Sequence, residues 1–346
     1  MGENRKLGKG YPGRIAALAS RGRSRMKSGE LPRPSGPGSV CAVIVTFHSG
    51  STVVPTYQSV EPQVDRVIIV DNGSDIGTMR VLEDLIRESG GKAELIRNRN
   101  NLGVGAALNQ GCRHAVSSGF DWVLLMDQDS VAAPAMVASL LDAWAAHPDR
   151  EKVYIMAPRY EAGEGVEATY LSFRGVWPKK GKFGPGIEHL EPTEAITSGS
   201  LVRTNAFKRI GYFTEELFID FVDTEFCLRL VGAGFRIVVP RNAVLHHSLG
   251  KASKTNILGR MVLTLNHPGI RRYYIFRNRF HLMKTFFSRF PSFFLFHLRE
   301  AFIDLVRVSL FEEDRWEKAK YSLRGIRDGI YGRLGPAKAE KGSLDE

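Results

Sequence analysis

The sequence predicts an α/β chain: a Rossmann-like, mostly parallel sheet with helices on both faces, followed by a helical extension. Three observations predict it. Short apolar, β-branched runs alternate with amphipathic stretches at βαβ spacing from residue 40 to about 157. Runs such as 40–47 read as strands buried inside a sheet covered on both sides. Polar clusters follow three of the runs, at 71–75, 98–103 and 127–130, so they should share the rim where such sheets bind ligands.

Taken in order, 40–47 is a strand bounded by turn residues, and 52–60 a helix despite Pro55. Residues 66–70 form a second strand ending in Asp71-Asn72-Gly73-Ser74, a strong turn signal. A helix over 76–89 gathers Met79, Leu82, Leu85 and Ile86 on one face. Strand 93–96 leads into helix 103–118, and strand 122–126 into Asp127-Gln128-Asp129-Ser130. Helix 134–146 and strand 153–157 complete the alternation. Residues 160–195 are loose and Gly-rich, a loop over the site or hairpins for an acceptor. A strand over 195–202, a helix over 204–210 with Thr204 as N-cap, a helix over 222–232 and a strand over 235–239 follow. Beyond 270 the chain is helical and rich in Phe and Arg.

The 346 residues, 43% hydrophobic and 25% charged, suffice for one large domain with an extension and exclude a disordered bulk. The net charge of +11 calls for an anionic partner. Residues 1–37 hold nine Lys and Arg against Glu3 and Glu30. They read as a solvated tail or as a polybasic arm for anionic lipid or RNA. The remaining chain has no arginine–aromatic cluster on a nucleic-acid fold, so no nucleic-acid partner is expected. Cys41, Cys112 and Cys227 lie far apart, which argues against disulfides and zinc and suits a cytoplasmic protein. Neither a signal peptide nor a membrane-spanning run is expected. The expected divisions are a basic tail (1–38), a catalytic domain (39–252), a helical region (253–335) and a short tail (336–346).

Five clusters carry the chemistry. Asp127 and Asp129 are i and i+2 in an extended segment, so both carboxylates face one way. At a strand's end they can grip a hard cation, Mg²⁺ or Mn²⁺, that neutralises a departing diphosphate. Asp71 can accept from a base or a ribose hydroxyl, or close an Asx turn. The segment from Asn98 to Gly105 brings glycines and helix N-terminal amides to a phosphate. It is not a dinucleotide fingerprint, since Leu108 stands where the third Gly belongs. The block 218–229 places Asp220, Asp223 and Glu225 around a helix start, as caps or as a general base; Asp223 is the chosen base. His246 and His247 can complete a metal shell or reach the diphosphate.

Together these segments resemble the family 2 inverting glycosyltransferases of the GT-A fold, and among them the bacterial rhamnosyltransferases. The resemblance rests on Val45-Thr46-Phe47, Asp71-Asn72-Gly73-Ser74, Asn100-Asn101-Leu102-Gly103, Met126-Asp127-Gln128-Asp129-Ser130, Thr197-Ser198-Gly199-Ser200 and the acidic block, from about 40 to 250. It implies a nucleotide-diphosphate sugar donor, dTDP-L-rhamnose above all, and a glycan or lipid-linked acceptor. By the same resemblance Thr46 and Asp71 hold the base, and Asn101 and Gly103 line the nucleotide pocket. Asp127 contacts the ribose and metal region. Asp129 ligates the cation with His247 or His246, and Gly199 and Ser200 shape the acceptor side. Many relatives have Glu-Asp where this chain has Val222-Asp223, which leaves Asp220 or Glu225 to replace the missing carboxylate. Alternatives are a UDP-hexose donor and a nucleotide-sugar-binding protein without turnover. Arginines and aromatics over 271–296 read as core helices or as an amphipathic surface making peripheral contact with an anionic membrane at its inner face.

Overall fold

A computed structural model describes residues 38–162, 166–167, 169–247, 253–257, 260–264 and 267–337. The expected basic tail (1–37), residues 338–346 and the side chain of His247 lie outside the described residues.

The strands are β1 (Val40–Thr46), β2 (Arg66–Asp71), β3 (Ala93–Arg97), β4 (Trp122–Asp127), β5 (Ser130–Ala132), β6 (Val153–Met156), β7 (Arg159–Ala162), β8 (Val166–Glu167), β9 (Tyr170–Ser172), β10 (Lys179–Gly181), β11 (His189–Leu190), β12 (Leu201–Arg203), β13 (Arg236–Pro240), β14 (Val244–His247), and the antiparallel pair β15 (Ser253–Ile257) and β16 (Arg260–Thr264) at the start of the stretch expected to be helical. The helices are α1 (Val53–Val60), α2 (Ile76–Glu88), α3 (Val104–Ser117), α4 (Met136–Ala146), α5 (Thr204–Ile210), α6 (Val222–Gly232), α7 (Gly269–Thr285), α8 (Pro291–Phe311) and α9 (Arg315–Ile330).

Eight strands form the central sheet in the order β11-β13-β6-β12-β4-β1-β2-β3. The pairs β4–β1, β1–β2, β2–β3 and β13–β6 are parallel, while β12 and β11 run antiparallel to their neighbours. Side chains alternate across β1. Cys41 and Val43 join one core with α3 and α6, and Val40, Ala42 and Ile44 join a second with α1, α2 and α4. Each fully buried Val or Ile in these layers contributes about 1.5–3 kcal/mol. This is the α/β architecture the sequence predicts, with helices α7–α9 following it.

Three details differ from the sequence reading. Residues 195–200 form a turn and only Leu201–Arg203 is a strand. Gly199 is the reason, because its φ of 80° leaves the extended region. Thr204 is the first residue of α5 rather than its N-cap, and its hydroxyl donates to the Asp121 carbonyl at 3.1 Å. The smaller sheet β5-β14-β7-β8 was not expected; it joins segments more than a hundred residues apart.

Candidate active site

Strand register brings the polar clusters onto one rim. Thr46 stands beside Asp71, Asp71 beside Arg97, and Val45 beside Asp127. Asp71 is fully buried and accepts from Thr46 Oγ1 (3.2 Å), Gly73 N (3.2 Å), Ser74 N (3.0 Å) and Ser74 Oγ (2.5 Å). It closes the turn, while Asp75 caps α2 by accepting from Thr78 N at 2.8 Å. Asn72 carries the order to the next loop. Its Nδ2 donates to Asn101 Oδ1 (2.9 Å) and the Gly103 carbonyl (3.2 Å), and its Oδ1 accepts from Leu102 N (3.1 Å). Asn101 itself is exposed on the rim.

Gln128, between the two aspartates, holds the end of β1. Its Oε1 accepts from Phe47 N at 2.7 Å and its Nε2 donates to Phe47 O at 3.2 Å. Asp127 N donates to Ser198 Oγ at 3.1 Å, pinning the aspartate to the Thr197-Ser198-Gly199-Ser200 turn. Burial pushes the Asp127 carboxyl up to about 7, and the charges of Asp129 and Asp223 add to the push. Asp129 and Asp223 therefore act on the same carboxyl from two distant segments. Asp127 is half-buried and Asp129 exposed, and carboxylate oxygens are the donors that hard divalent cations take.

The acidic block turns sharply before α6: Phe218, Asp220 and Phe221 have φ of 66°, 61° and 63°. Three non-glycine residues in the left-handed region within four positions are a strained turn that its surroundings must impose. Helix α7 imposes it. Asn278 Nδ2 lies 2.9, 2.8 and 2.9 Å from the carbonyls of Leu217, Ile219 and Asp220. Arg277, fully buried, donates to the carbonyls of Glu216 (3.2 Å) and Leu217 (2.8 Å). Arg271 holds the Asp220 carboxylate at 3.2 and 3.1 Å. Of the two readings of 271–296, residues 271–279 follow that of core helices. Most of that segment is buried: Arg277 bonds carbonyls and stacks on Tyr273 and Tyr274, while Arg272 and Arg279 pair with Glu312 and Asp304.

Asp223 lies at the start of α6, with Thr224 N donating to its Oδ1 at 2.7 Å. Burial raises its carboxyl above the usual range, opposed by that hydrogen bond and reinforced by Asp220. Beside it is Glu194, which sequence reasoning missed. Burial and the Asp223 charge raise Glu194 to about 8, partly offset by a hydrogen bond from Thr224. Glu225 is committed elsewhere, accepting from Arg229 Nε (2.7 Å) and Nη2 (2.8 Å). Of the carboxylates near Asp223, Asp220 is ion-paired with Arg271, and Glu194 is bonded through Thr224.

Gly199 and Ser200 are buried. A Cβ on Gly199 would sit 2.5 Å from Pro158 Cγ, and the Ser200 hydroxyl donates to the Ile196 carbonyl at 2.5 Å. Register sets His247 opposite Ser130, the residue after Asp129. His246 stands opposite Val131, exposed, with its Nδ1 3.7 Å from Glu161. Among the described residues, His147, His189 and Glu191 have ligand atoms within 4.8 Å of one another. That cluster sits by the outer strand β11, four strands from β4, and Arg236 and Arg174 take both Glu191 oxygens.

Residues 41–211 match the family model described as glycosyl transferase family 2. The chain carries a glycosyltransferase family 2 domain. The dTDP-rhamnosyl transferase RfbF of Shigella flexneri is 27% identical over 86% of this chain and 97% of its own length. Galactofuranosyltransferase GlfT1 of Mycobacterium tuberculosis is 29% identical over 70% of this chain and 81% of its own. From the same organism, N-acetylglucosaminyl-diphospho-decaprenol L-rhamnosyltransferase is 29% identical over 59% of this chain and 75% of its own. The mannosyltransferase PcManGT of Pyrobaculum calidifontis, solved with GDP-Man and Mn²⁺, shares the fold at a TM-score of 0.55 and 13% identity, over 88% of this chain and 90% of its own. This glycosyltransferase thus has the GT-A type sheet, and its acidic rim lies at the strand ends where the fold binds ligands.

Proposed function

We propose that this glycosyltransferase moves L-rhamnose from dTDP-L-rhamnose onto a hydroxyl of a cell-surface polysaccharide or lipid-linked glycan, with inversion. One observation carries the reading: the raised carboxyl of Asp223 shares a site with Asp127 and Asp129 at the sheet rim. Likeness to RfbF along nearly its whole length supports the donor. Thr46 and Asp71 would hold the pyrimidine base, and Asn101 and Gly103 would line the nucleotide pocket. Asp127 and Asp129, with His247, would hold Mg²⁺ or Mn²⁺. The bound cation offsets negative charge on the donor diphosphate.

The reaction is a single displacement. The acceptor oxygen forms its bond to the anomeric carbon as the bond from that carbon to the diphosphate oxygen breaks. Asp223 takes the hydroxyl proton, and dTDP leaves with the electron pair. Glu194, protonated up to about 8, adds no negative charge beside Asp223 below that pH. A lipid-linked acceptor would put the enzyme in the cytoplasm, peripheral to the inner face of the plasma membrane. Among the described residues no helix is long and apolar enough to cross a membrane.

Mass-spectrometric transfer assays against a panel of dTDP- and UDP-sugars test the donor. Turnover of dTDP-rhamnose well above every UDP-hexose is expected; preference for a UDP-sugar would reject rhamnose and keep the transferase.

A further inference from the structure

Helix α8 carries an apolar face that the described protein leaves open. Leu295, Leu298, Phe302, Val306 and Leu310 are 42, 44, 68, 38 and 61% exposed. Steps of three and four residues put them in one stripe, about 22 Å long at 1.5 Å per residue. Trp316, just beyond, is 81% exposed. The opposite face is packed inside: Phe293, Ala301 and Val308 are buried, and the His297 ring lies 5.5 Å from that of Phe221. Phe221 is two residues before Asp223. One helix therefore touches the strained catalytic turn with one side and presents bare hydrocarbon with the other.

The charge around the stripe selects what covers it. Between residues 284 and 333 the exposed charged side chains are seven cations and three acids. Asp304 and Glu312 are turned inward onto Arg279 and Arg272, buried Asp328 pairs with Arg324, Arg327 and Arg333, and the three exposed acids are Glu313, Asp314 and Glu317. Two copies meeting face to face would bring like charge together. An anionic lipid surface satisfies both features, taking apolar side chains at the acyl boundary and cations at the headgroups. Trp316 is a residue type suited to that boundary.

We propose that the outer face of α8, with Trp316, is the surface by which this enzyme rests on an anionic membrane. The proposal rests on the reading of a lipid-linked acceptor and places the catalytic turn one helix diameter, about 10 Å, above the bilayer surface.

Flotation of the full-length protein with vesicles tests it without turnover. Wild type is expected to float with mixed phosphatidylcholine–phosphatidylglycerol vesicles and to float poorly with phosphatidylcholine alone. The double variant Phe302→Asp, Leu310→Asp should lose at least about tenfold in partitioning. Donor hydrolysis and melting temperature, measured beside it, should match wild type, confirming an intact fold and site. Failure of wild type to float overturns the proposal. So does undiminished flotation of the variant, which would assign binding to the basic residues 1–37. A wild-type dimer that the substitutions dissolve, without vesicle binding, overturns it in favour of a second copy. None of these results depends on which sugar is transferred.

Discussion

The side-chain amide of Asn278 donates to the backbone carbonyl of Asp220 at 2.9 Å, tying the first C-terminal helix to the turn that presents Asp223. The same amide reaches Leu217 and Ile219. Without it three carbonyls lose a buried donor, at a cost of roughly 1–3 kcal/mol. Asn278→Ala should lower unfolding free energy by that amount in urea titrations. It should also lower kcat for transfer at least tenfold while the donor KM stays near wild type, because the turn positions the base rather than the nucleotide. An equal loss in kcat and in donor affinity would show that the helix supports the whole domain instead.

Asp223→Asn keeps the size of the side chain and removes its ability to take a proton. Transfer should fall by about 10²–10⁴ while donor binding, followed by calorimetry, is retained. Turnover close to wild type would reject Asp223 as the base. In the wild type the rate should rise with pH on the acid side, its midpoint above the usual carboxylate range because burial favours the neutral form.

Much of this arrangement was legible in the sequence. Parallel strands announce themselves as short apolar runs, and a polar cluster after each places it at the rim, so the rim positions of Asp71, Asn101, Asp127 and Asp129 could be read by order along the chain. Glu194 was not, because it lies in a stretch without periodicity whose conformation is set by contacts with α6. Arg271, Arg277 and Asn278 escaped for a different reason. Alternating arginines and aromatics suit a membrane surface and a buried carbonyl clamp equally well, and only packing against residues 216–220 decides between them. The ladder between β5 and β14 depends on pairing across more than a hundred residues, which no local pattern records.

Gly103 offers a test of the nucleotide loop. Its φ is 87°, and a Cβ there would lie 2.7 Å from the Phe218 carbonyl oxygen, which also accepts from Val104 N at 2.7 Å. Gly103→Ala must move the Asn98–Gly103 loop away from the acidic turn or strain both, at about 1–3 kcal/mol. Lower thermal stability together with at least tenfold weaker nucleotide binding is expected. Unchanged nucleotide affinity in a destabilised variant would remove this loop from the donor site.

The acid cluster makes stability depend on pH and on metal in a definite direction. Asp127 and Glu194 keep their protons up to about 7 and about 8 in the folded protein. In the unfolded chain such carboxyls lose them near pH 4. The folded state therefore binds more protons between those limits, so stability falls as pH rises through that window. A divalent cation reverses the sign, since it favours the ionised carboxylates and competes with their protons. Thermal melts in EDTA should show the melting temperature dropping from about pH 5 to about pH 8. Added Mn²⁺ should have little effect at the acid end and raise the melting temperature at the alkaline end. Asp129→Asn should abolish the Mn²⁺ response while leaving most of the slope in EDTA, which burial of Asp127 and Glu194 still supplies. A Mn²⁺ shift equal at both ends, or one that survives Asp129→Asn, would place the cation away from the rim.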